Sequence, residues 1–472
     1  MISQVPTQIV ILGGGGDLSK RKLLPALFDL FQKNKLPEKF SIIGIARSPR
    51  SDEEYRVFVT ESLRHHGHEH HQSAIRDFCS HISYVAGSFT DDSAYTDLLN
   101  RIDANEESLG ICSNKLFYLA VPPEHYEIIF EKLHQHCMST PCSDETGWTR
   151  ILVEKPFGSD LDSAQALDSK LSQLFSEEQI FRIDHYLAKE AVQNILALRF
   201  ANTLLTAPWS KEGIDSVHIS MSEDINVSTR GAFYDNIGAL RDVGQNHLLQ
   251  LLALTAMRSP QTLAAEDIRY ERERVLKSLQ TISSKDIADK VIKGQYADYQ
   301  NTQGVKPNSE TETYFEFVAT LDLAEWSGVP FYISAGKALD INEVSITVIF
   351  KNEDESPFNS QGETLPKSNS VTLIISPEQK ISLTLNAKAP GLSLELEERT
   401  LSFTCQAGDK EITNSYEKVL LDCIEGDQTL FTKTEEVLAS WRFITPILTA
   451  WKRLPLQPYE QGSSGPKKRL VQ

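Results

Sequence analysis

The chain has 472 residues and a formal net charge of −18, which disfavours nucleic acid or an anionic membrane as a partner. This length exceeds what one hydrophobic core usually organises, so we expect two domains. The six cysteines form no CxxC pair, which favours reduced thiols in a cytoplasmic protein. The N-terminal residues lack the pattern of a signal peptide, and no apolar run approaches the ~18 residues of a membrane span.

The first part of the chain alternates strand-like apolar runs with helical patterns. The runs occupy residues 8–12, 40–46, 82–86, 116–121 and 151–153, and helical patterns cover 18–31 and 124–136. Such alternation predicts an α/β domain with a parallel sheet covered by helices on both faces.

The pattern changes after about residue 200. Residues 344–348, 371–375 and 381–385 alternate with period two, and the last two runs predict an antiparallel hairpin. Helices are expected at about 238–257, 415–423 and 435–451, and loops at 301–309 and 354–369. We therefore predict an α/β domain over residues 1–183, followed over 184–472 by an α+β domain with a large, mostly antiparallel sheet.

A glycine turn follows the first strand. The string GGGGDL contains Gly13, Gly16, Asp17 and Leu18 and leads directly into a helical pattern. A strand, a glycine turn and a helix let backbone N–H groups approach a pyrophosphate, as in Rossmann-type dinucleotide-binding domains. A plain tight turn is the alternative, because the spacing is GxxGDL rather than GxGxxG.

The second predicted strand ends just before Arg47. A site that prefers NAD would place an acidic residue here, whereas arginine suits the 2′-phosphate of NADP through its forked donors. Lys20, Arg21 and Lys22 add positive charge near the same corner. The pattern predicts NADP as the cofactor, with an exposed arginine that binds nothing as the alternative.

The string RIDHYLAKE at 182–190 combines an acid, cationic groups and a phenol. It reads as a strand end followed by a helix, with Asp184, His185 and Tyr186 at the junction. If the helix begins early, His185 and Lys189 share one face and form an anion site. An ordinary surface helix with a salt bridge is the alternative.

Three further residues are candidates for catalysis or binding. His247 lies in RDVGQNHLLQ on a predicted helix, and its imidazole suits a general base at neutral pH, which Asp184 could orient. Lys155 ends a predicted core strand within EKPFG, where α/β sheets bind ligands. Lys337 follows a glycine in SAGKAL. Each also has a purely structural interpretation.

Residues 65–71, with the sequence HHGHEHH, include five histidines. Such a cluster could bind a divalent metal, but the segment is polar and offers no buried frame to orient the ligands. We therefore expect no metal site.

Taken together, these motifs resemble the glucose-6-phosphate dehydrogenase family over nearly the whole chain. The similarity runs in order from GxxGDL through EKPFG, RIDHYL, RDVxQNHLLQ and GKAL to ASWR at 439–442. It implies oxidation of D-glucose 6-phosphate at C1 to 6-phospho-D-glucono-1,5-lactone with NADP, the first step of the oxidative pentose phosphate pathway. It also implies a homodimer or homotetramer that assembles through the large sheet of the second domain.

The resemblance also implies individual roles. His247 would be the base that removes the C1 hydroxyl proton, paired with Asp184. His185, Tyr186 and Lys189 would bind the sugar phosphate. The remaining contacts would come from Glu223, Asp242, Lys155 and Lys337 to the sugar, and from Gly13, Gly16, Asp17, Leu18, Arg47 and Lys155 to the cofactor.

Several positions depart from the family pattern. Ala188 replaces the usual glycine, and Gly15 stands where serine or threonine is usual, which removes one hydroxyl contact. Residues 222–229 differ from the usual loop, and 338–344 lack the basic residue that commonly follows Lys337. A dehydrogenase for a different hexose phosphate and a non-catalytic binding protein on this fold therefore remain alternatives.

Overall fold

The computed structural model describes residues 5–68, 70–142, 147–352, 358, 368–404, 414–467 and 469–470. Most of the predicted loop at 354–369 lies outside these residues, as does Cys405. Among the described residues, no helix is long and apolar enough to cross a membrane.

The strands lie in two sheets. In chain order they are β1 (Thr7–Leu12), β2 (Phe40–Ala46), β3 (Ile82–Ala86), β4 (Asn114–Leu119), β5 (Thr149–Val153), β6 (Ile180–Ile183), β7 (Ile214–Ser222), β8 (Val291–Tyr296), β9 (Tyr314–Ala319), β10 (Phe331–Gly336), β11 (Glu343–Phe350), β12 (Ser370–Ser376), β13 (Lys380–Lys388), β14 (Leu396–Thr404), β15 (Phe431–Thr432) and β16 (Leu456–Tyr459).

Helices cover the sheets and connect the strands. In chain order they are α1 (Leu24–Gln32), α2 (Asp52–Leu63), α3 (Gln72–Ser80), α4 (Asp92–Leu109), α5 (Tyr126–Gln135), α6 (Leu161–Leu174), α7 (Glu190–Phe200), α8 (Thr203–Thr206), α9 (Gly231–Tyr234), α10 (Leu249–Ala256), α11 (Ala265–Lys277), α12 (Ile287–Lys290), α13 (Ser415–Glu425) and α14 (Thr434–Trp451). Two π-helical stretches, Ser19–Leu23 and Leu240–Leu248, continue directly into α1 and α10.

The first sheet has the order β3-β2-β1-β4-β5-β6, and these six strands run parallel. This is the strand order of a Rossmann-type dinucleotide-binding domain. Alternate residues of β1 are buried on opposite faces: Ile9 and Ile11 pack in the cluster that includes α1, and Val10 and Leu12 in the one that includes α5. Burial on both faces explains the continuous apolar runs in the sequence and confirms the predicted α/β domain.

The second sheet has the order β14-β13-β12-β11-β7-β10-β9-β8-β16. Its neighbours pair antiparallel except β7 with β10 and β8 with β16, which confirms a mostly antiparallel sheet. The predicted hairpin is β12–β13, whose register pairs Thr372 with Ser382. The predicted division at residue 183 remains a prediction.

The C-terminal part of the chain returns to the first sheet. Strand β15 pairs antiparallel with β6, so that Thr432 lies opposite Arg182. The Arg182 guanidinium is nearly buried and donates to both carboxylate oxygens of Glu177 at 2.9 Å, to Asp168 at 3.0 Å and to the Thr434 hydroxyl at 2.6 Å. Arg182 therefore connects β6 to α6 and α14 and holds in place the strand that leads to Asp184.

Replacing Arg182 with leucine should destabilise the protein by about 1–3 kcal/mol, because the partly buried Asp168 carboxylate would lose its cation and Glu177 would keep only Arg269. Arg258→Leu is the matched control, since Arg258 is exposed and its pair with Glu325 should contribute no more than about 1 kcal/mol. Chemical denaturation of both variants measures the difference. Equal losses of stability in the two variants would contradict this role for Arg182.

Candidate active site

His247 lies on the π-helical stretch that precedes α10. Buried Glu312 holds the beginning of this stretch: its carboxylate accepts from Leu240 N at 3.0 Å and from Trp451 Nε1 at 3.1 Å. Gly238 precedes the stretch with φ +75°, and a Cβ there would lie 2.4 Å from a Glu312 oxygen, so the turn requires glycine. π-Helical turns are rare and frequently lie at functional sites.

The side chains of His247 and Asp184 form a buried pair, with 2% and 3% of their surfaces exposed. Nδ1 of His247 is hydrogen-bonded to Oδ1 of Asp184, and the same oxygen accepts from Tyr186 N at 3.1 Å. Because an ionised carboxylate can only accept, Nδ1 must carry the proton. The neutral ring then presents the lone pair of Nε2, as a general base requires.

Lys155 faces this lone pair. Its ammonium Nζ lies 2.5 Å from His247 Nε2 and 3.2 Å from Asn246 Oδ1, and Lys155 follows the carboxyl end of β5. The ammonium therefore occupies the position from which a hydroxyl group would donate its proton to Nε2. The sequence placed Lys155 at this edge of the sheet but did not show its contact with the imidazole.

The charges of these groups act on one another in a buried space. Burial lowers the pKa of His247, and the Lys155 ammonium lowers it further, while Asp184 opposes both. Burial alone would raise the pKa of Asp184, but the interaction and hydrogen bond with the His247 ring, followed by the Lys155 charge, hold this pKa well below its ordinary value. Burial also lowers the pKa of Lys155. Asp184 is therefore ionised and His247 neutral at physiological pH.

Residues 184–189 form a turn, and the helix α7 begins only at Glu190. The helix thus does not begin early, and the condition under which His185 and Lys189 would share one helix face is not met. The reason is local: the Asp184 carboxylate accepts from Tyr186 N, and the backbone closes a turn from Leu187 N to Asp184 O at 3.0 Å. Such side-chain bonds compete with helix formation.

The turn nevertheless collects the three residues predicted to bind phosphate. The His247 ring lies 4.1 Å from that of Tyr186 and 4.8 Å from that of His185, and Lys189 Nζ lies 3.8 Å from the Tyr186 ring centre. Burial, followed by the proximity of His247 and of the Lys155 ammonium, lowers the pKa of His185 to about 2, so His185 is a neutral donor. Lys189 supplies the positive charge.

The predicted sugar contacts lie at the ends of two neighbouring parallel strands. Glu223 follows β7 and Lys337 follows β10, and their side chains form an ion pair. Backbone bonds fix both residues: Glu223 N donates to Gly336 O and Lys337 N donates to Thr313 O, each at 2.9 Å. Burial, followed by the nearby charges of Glu223, Asp184 and Asp242, raises the pKa of Tyr186. These carboxylates therefore lie around the same phenol.

The glycine turn lies at the carboxyl end of β1, the same edge of the sheet as Lys155. Gly13 has φ +92°, and a Cβ there would lie 2.3 Å from Ala120 O. The turn closes through Gly16 N to Gly13 O at 2.9 Å, and Asp17 pairs with Arg21 at 2.7 Å on the exposed side. Leu18 leads into the first π-helical stretch. Gly13 N and Gly14 N both donate to Ile45 O, at 2.8 and 3.1 Å, which holds the turn against β2. A glycine turn fixed between a strand and a helix start is the arrangement that accepts a dinucleotide pyrophosphate.

Sequence reasoning missed Arg50. Its Nη1 lies 3.1 Å from the position of a Cβ on Gly15, and its guanidinium carbon lies 4.6 Å from the Phe58 ring centre. Nη1 is buried and has no hydrogen-bond partner within the described part of the chain. Arg47, by contrast, is exposed. The signal in the sequence was the missing hydroxyl at Gly15 together with a second arginine shortly after Arg47.

The histidine tract lies apart from this site. His66 Nδ1 is hydrogen-bonded to Ser62 O at 2.8 Å, and His68 Nε2 lies 3.4 Å from Asp29. These two rings thus contact different partners instead of facing a common point.

The chain is similar to known proteins over nearly its whole length. Residues 10–194 match the family model for the glucose-6-phosphate dehydrogenase NAD binding domain, and residues 196–471 match its C-terminal domain. The glucose-6-phosphate 1-dehydrogenase of Chlamydia muridarum is 38% identical over 98% of this chain and 94% of its own, and that of Bacillus subtilis is 37% identical over 97% and 95%.

Two solved structures share the fold over nearly their full length. A glucose-6-phosphate dehydrogenase in complex with its substrate glucose-6-phosphate is 36% identical, with a TM-score of 0.90 over 99% of this chain and 97% of its own. The glucose-6-phosphate 1-dehydrogenase of Mycobacterium avium is 31% identical, with a TM-score of 0.84 over 98% and 96%.

The charges around His247 predict opposite effects of two substitutions on its pKa. Lys155→Met should raise the pKa of His247 because it removes a cation, and Asp184→Asn should lower it because it removes an anion. NMR titration of histidine-labelled protein measures both, with His247→Asn to assign the signal and exposed Lys170→Met as control. A shift in the same direction for both variants would contradict the electrostatic account.

Proposed function

Because this chain belongs to the glucose-6-phosphate dehydrogenase family, we propose that it oxidises D-glucose 6-phosphate at C1 to 6-phospho-D-glucono-1,5-lactone with NADP as hydride acceptor. The observation that carries this proposal is the buried Asp184–His247 pair. The His247 ring lies 4.1 Å from that of Tyr186, and its Nε2 faces Lys155. A base in this position suits the removal of a proton from a sugar hydroxyl.

In this proposal His247 Nε2 accepts the proton of the C1 hydroxyl as the hydride leaves C1. Asp184 holds Nδ1–H, keeps the ring in the required tautomer and stabilises the imidazolium that forms. When bound, the nicotinamide supplies the acceptor for the hydride. The chain contributes position and electrostatics, since the Asp184 carboxylate is fixed before the reaction begins.

Lys155 changes partner when the sugar binds. Its ammonium contacts Nε2 in the structure, so the C1 hydroxyl must displace it to reach the base. The ammonium can then donate to a hydroxyl of the sugar while Asn246 Oδ1 and Asp242 O keep it within reach, at 3.2 and 3.5 Å in the structure. This exchange keeps Nε2 paired until the substrate arrives.

The phosphate is bound by the turn that follows β6. Lys189 supplies the charge, Tyr186 a hydroxyl and His185 a neutral N–H. Glu223, Asp242 and Lys337 bind the sugar hydroxyls, and the ion pair of Glu223 with Lys337 orders both side chains beforehand. Together these contacts would place C1 at His247.

Two arginines favour NADP over NAD. Arg47 is exposed at the end of β2, where the ribose 2′-position is expected, and the unpaired Nη1 of Arg50 lies against Gly15 in the phosphate turn. Arg50 thus occupies the space that a serine or threonine side chain at position 15 would fill. Its guanidinium can replace the missing hydroxyl contact with the 2′-phosphate.

We also propose that the chain forms a homodimer or homotetramer through the second sheet and acts in the cytoplasm. Strands β13 and β14 expose large apolar side chains, with Leu401 64% and Phe403 59% exposed. Residues 1–183 would bind the cofactor, and residues 184–472 would bind the sugar and form the interface.

His247→Asn should lower kcat for NADPH formation from glucose 6-phosphate by roughly 10²–10⁴, because it removes the general base. The control is His136→Asn, which changes a histidine at the end of α5 and should keep the activity. The absorbance of NADPH measures both, and parallel assays with NAD and other hexose phosphates test cofactor and substrate preference. A kcat within a few-fold of wild type would exclude His247 as the base.

Lys189→Ala should raise KM for glucose 6-phosphate roughly 10-fold to 100-fold with a much smaller change in kcat, since it removes a charged contact made equally in ground and transition states. Initial-rate kinetics measure the two parameters, with surface Lys170→Ala as control. An unchanged KM would remove Lys189 from the phosphate site.

Arg50→Ala should weaken NADP binding by roughly 10-fold to 100-fold and NAD binding by less than about 2-fold. The reason is that the guanidinium would contact only the 2′-phosphate, which NAD lacks. Calorimetry without sugar phosphate measures both affinities. Adding Gly15→Ser to Arg50→Ala should restore part of the NADP affinity. Equal losses for both cofactors would mean that Arg50 only supports the turn.

A further inference from the structure

Four polar side chains form a cluster at the amino end of β4. They are Glu106 from α4, Cys112 from the connection after it, Lys115 from β4 and Cys142 from the segment before β5. The two sulfur atoms and a Glu106 carboxylate oxygen all lie within 4.8 Å of one another. The glycine turn and Lys155 lie at the carboxyl ends of the same parallel strands, so the cluster is at the opposite edge from the active site.

The Cys142 sulfur contacts both charged groups of the cluster, the Lys115 ammonium and the Glu106 carboxylate, whose oxygens lie 3.6 and 3.7 Å away. Lys115 Nζ lies 3.3 Å from Cys142 Sγ and is held in place by Glu106 Oε1 at 3.1 Å. Both charged side chains are largely buried, with 8% and 16% exposed, whereas Cys142 is exposed to solvent. A solvent-exposed sulfur beside a fixed ammonium is the kind of environment in which reactive cysteines occur.

We propose that Cys142 and Cys112 are a redox-active dithiol that closes into a disulfide when the protein meets a peroxide. The Cys142 thiolate attacks hydrogen peroxide, the O–O bond breaks, and a sulfenic acid and hydroxide form. The Cys112 sulfur then attacks the sulfenic sulfur, the S–O bond breaks, and its proton leaves with the oxygen as water. In total two thiols are oxidised by two electrons, and one peroxide is reduced to two waters.

The cluster assigns different roles to the two cysteines. The hydrogen bond between the thiols, followed by burial, raises the pKa of Cys112 to about 11, so Cys112 keeps its proton. The neighbouring ammonium contacts Cys142 instead. Cys142 is therefore the attacking thiol and Cys112 the resolving one.

The same atoms are a poorer site for a metal ion. They offer three ligands, and the Lys115 ammonium already contacts two of them, Cys142 and Glu106. A divalent cation would have to displace this ammonium, whereas disulfide formation leaves the pair of Lys115 with Glu106 intact. The observations thus favour the dithiol over a zinc site.

The disulfide would close a ring that contains β4 and α5. It would connect the amino end of β4 to the segment that precedes β5, and these two strands are neighbours in the sheet. Because the ring closes away from His247 and the glycine turn, we expect oxidation to restrain this part of the sheet without blocking the active site.

Peptide mapping of the full-length protein tests the proposal. After brief treatment with equimolar hydrogen peroxide and alkylation of the remaining thiols, mass spectrometry should find the Cys112 and Cys142 peptides joined, two hydrogens lighter than the separate thiols. Dithiothreitol should reverse the link. Cys137→Ser removes another exposed cysteine nearby and should leave the link unchanged.

Two further variants examine the roles. Cys112→Ser should leave a sulfenic acid on Cys142 that dimedone traps, and Lys115→Met should slow the formation of the link by about 10-fold through loss of thiolate. Three results would overturn the proposal. The first is oxidation of Cys142 to the sulfinic acid at the same rate in the wild type and in Cys112→Ser. The others are a dominant Cys137–Cys142 link, and stoichiometric zinc binding that protects both thiols from peroxide.

Discussion

The buried hydrogen bond between Asp184 and His247 connects the end of the first sheet to the helix that carries the base. A carboxylate in such a place costs several kcal/mol unless cations and donors surround it. Here Tyr186 N and the imidazole share one oxygen, and Lys155 adds a positive charge close by. The Asp184 charge raises the pKa of His247, His185 and Lys155 and so opposes the effect of their burial.

The surrounding structure keeps both ends of this hydrogen bond in place. Arg182 binds carboxylates of two segments and a hydroxyl of α14, which fixes β6 just before Asp184. Glu312 holds the beginning of the π-helical stretch, and Gly238 admits this carboxylate because it has no side chain. A shift of either element would change the position of Nε2, and small displacements of catalytic groups cost large factors in rate.

Local sequence patterns predicted much of the fold. The apolar runs at 40–46 and 82–86 coincide with β2 and β3, and the family resemblance, the parallel first sheet and the mostly antiparallel second sheet are confirmed. These features follow from short-range periodicity and from motifs that stand in one order along the chain. The residue roles stay predictions, although the structure brings His247, Asp184, His185, Tyr186 and Lys189 together.

Contacts between distant segments could not be derived in this way. The late start of α7 has a local cause that was also missed, because periodicity does not show that the Asp184 side chain accepts from Tyr186 N. The contact of Lys155 with Nε2, the position of Arg50 against Gly15 and the cluster around Cys142 each join residues that no periodicity relates. Such contacts are set by the packing of whole elements, which a single sequence does not display.

The tautomer of His247 tests the central claim most directly. In ¹⁵N-histidine-labelled protein at neutral pH, the account predicts that the His247 ring carries its proton on Nδ1 and that Nε2 is unprotonated, and that Asp184→Asn abolishes this preference. An imidazole protonated on Nε2 in the wild-type protein, or a tautomer unchanged by Asp184→Asn, would contradict the claim that Asp184 prepares His247 as the base.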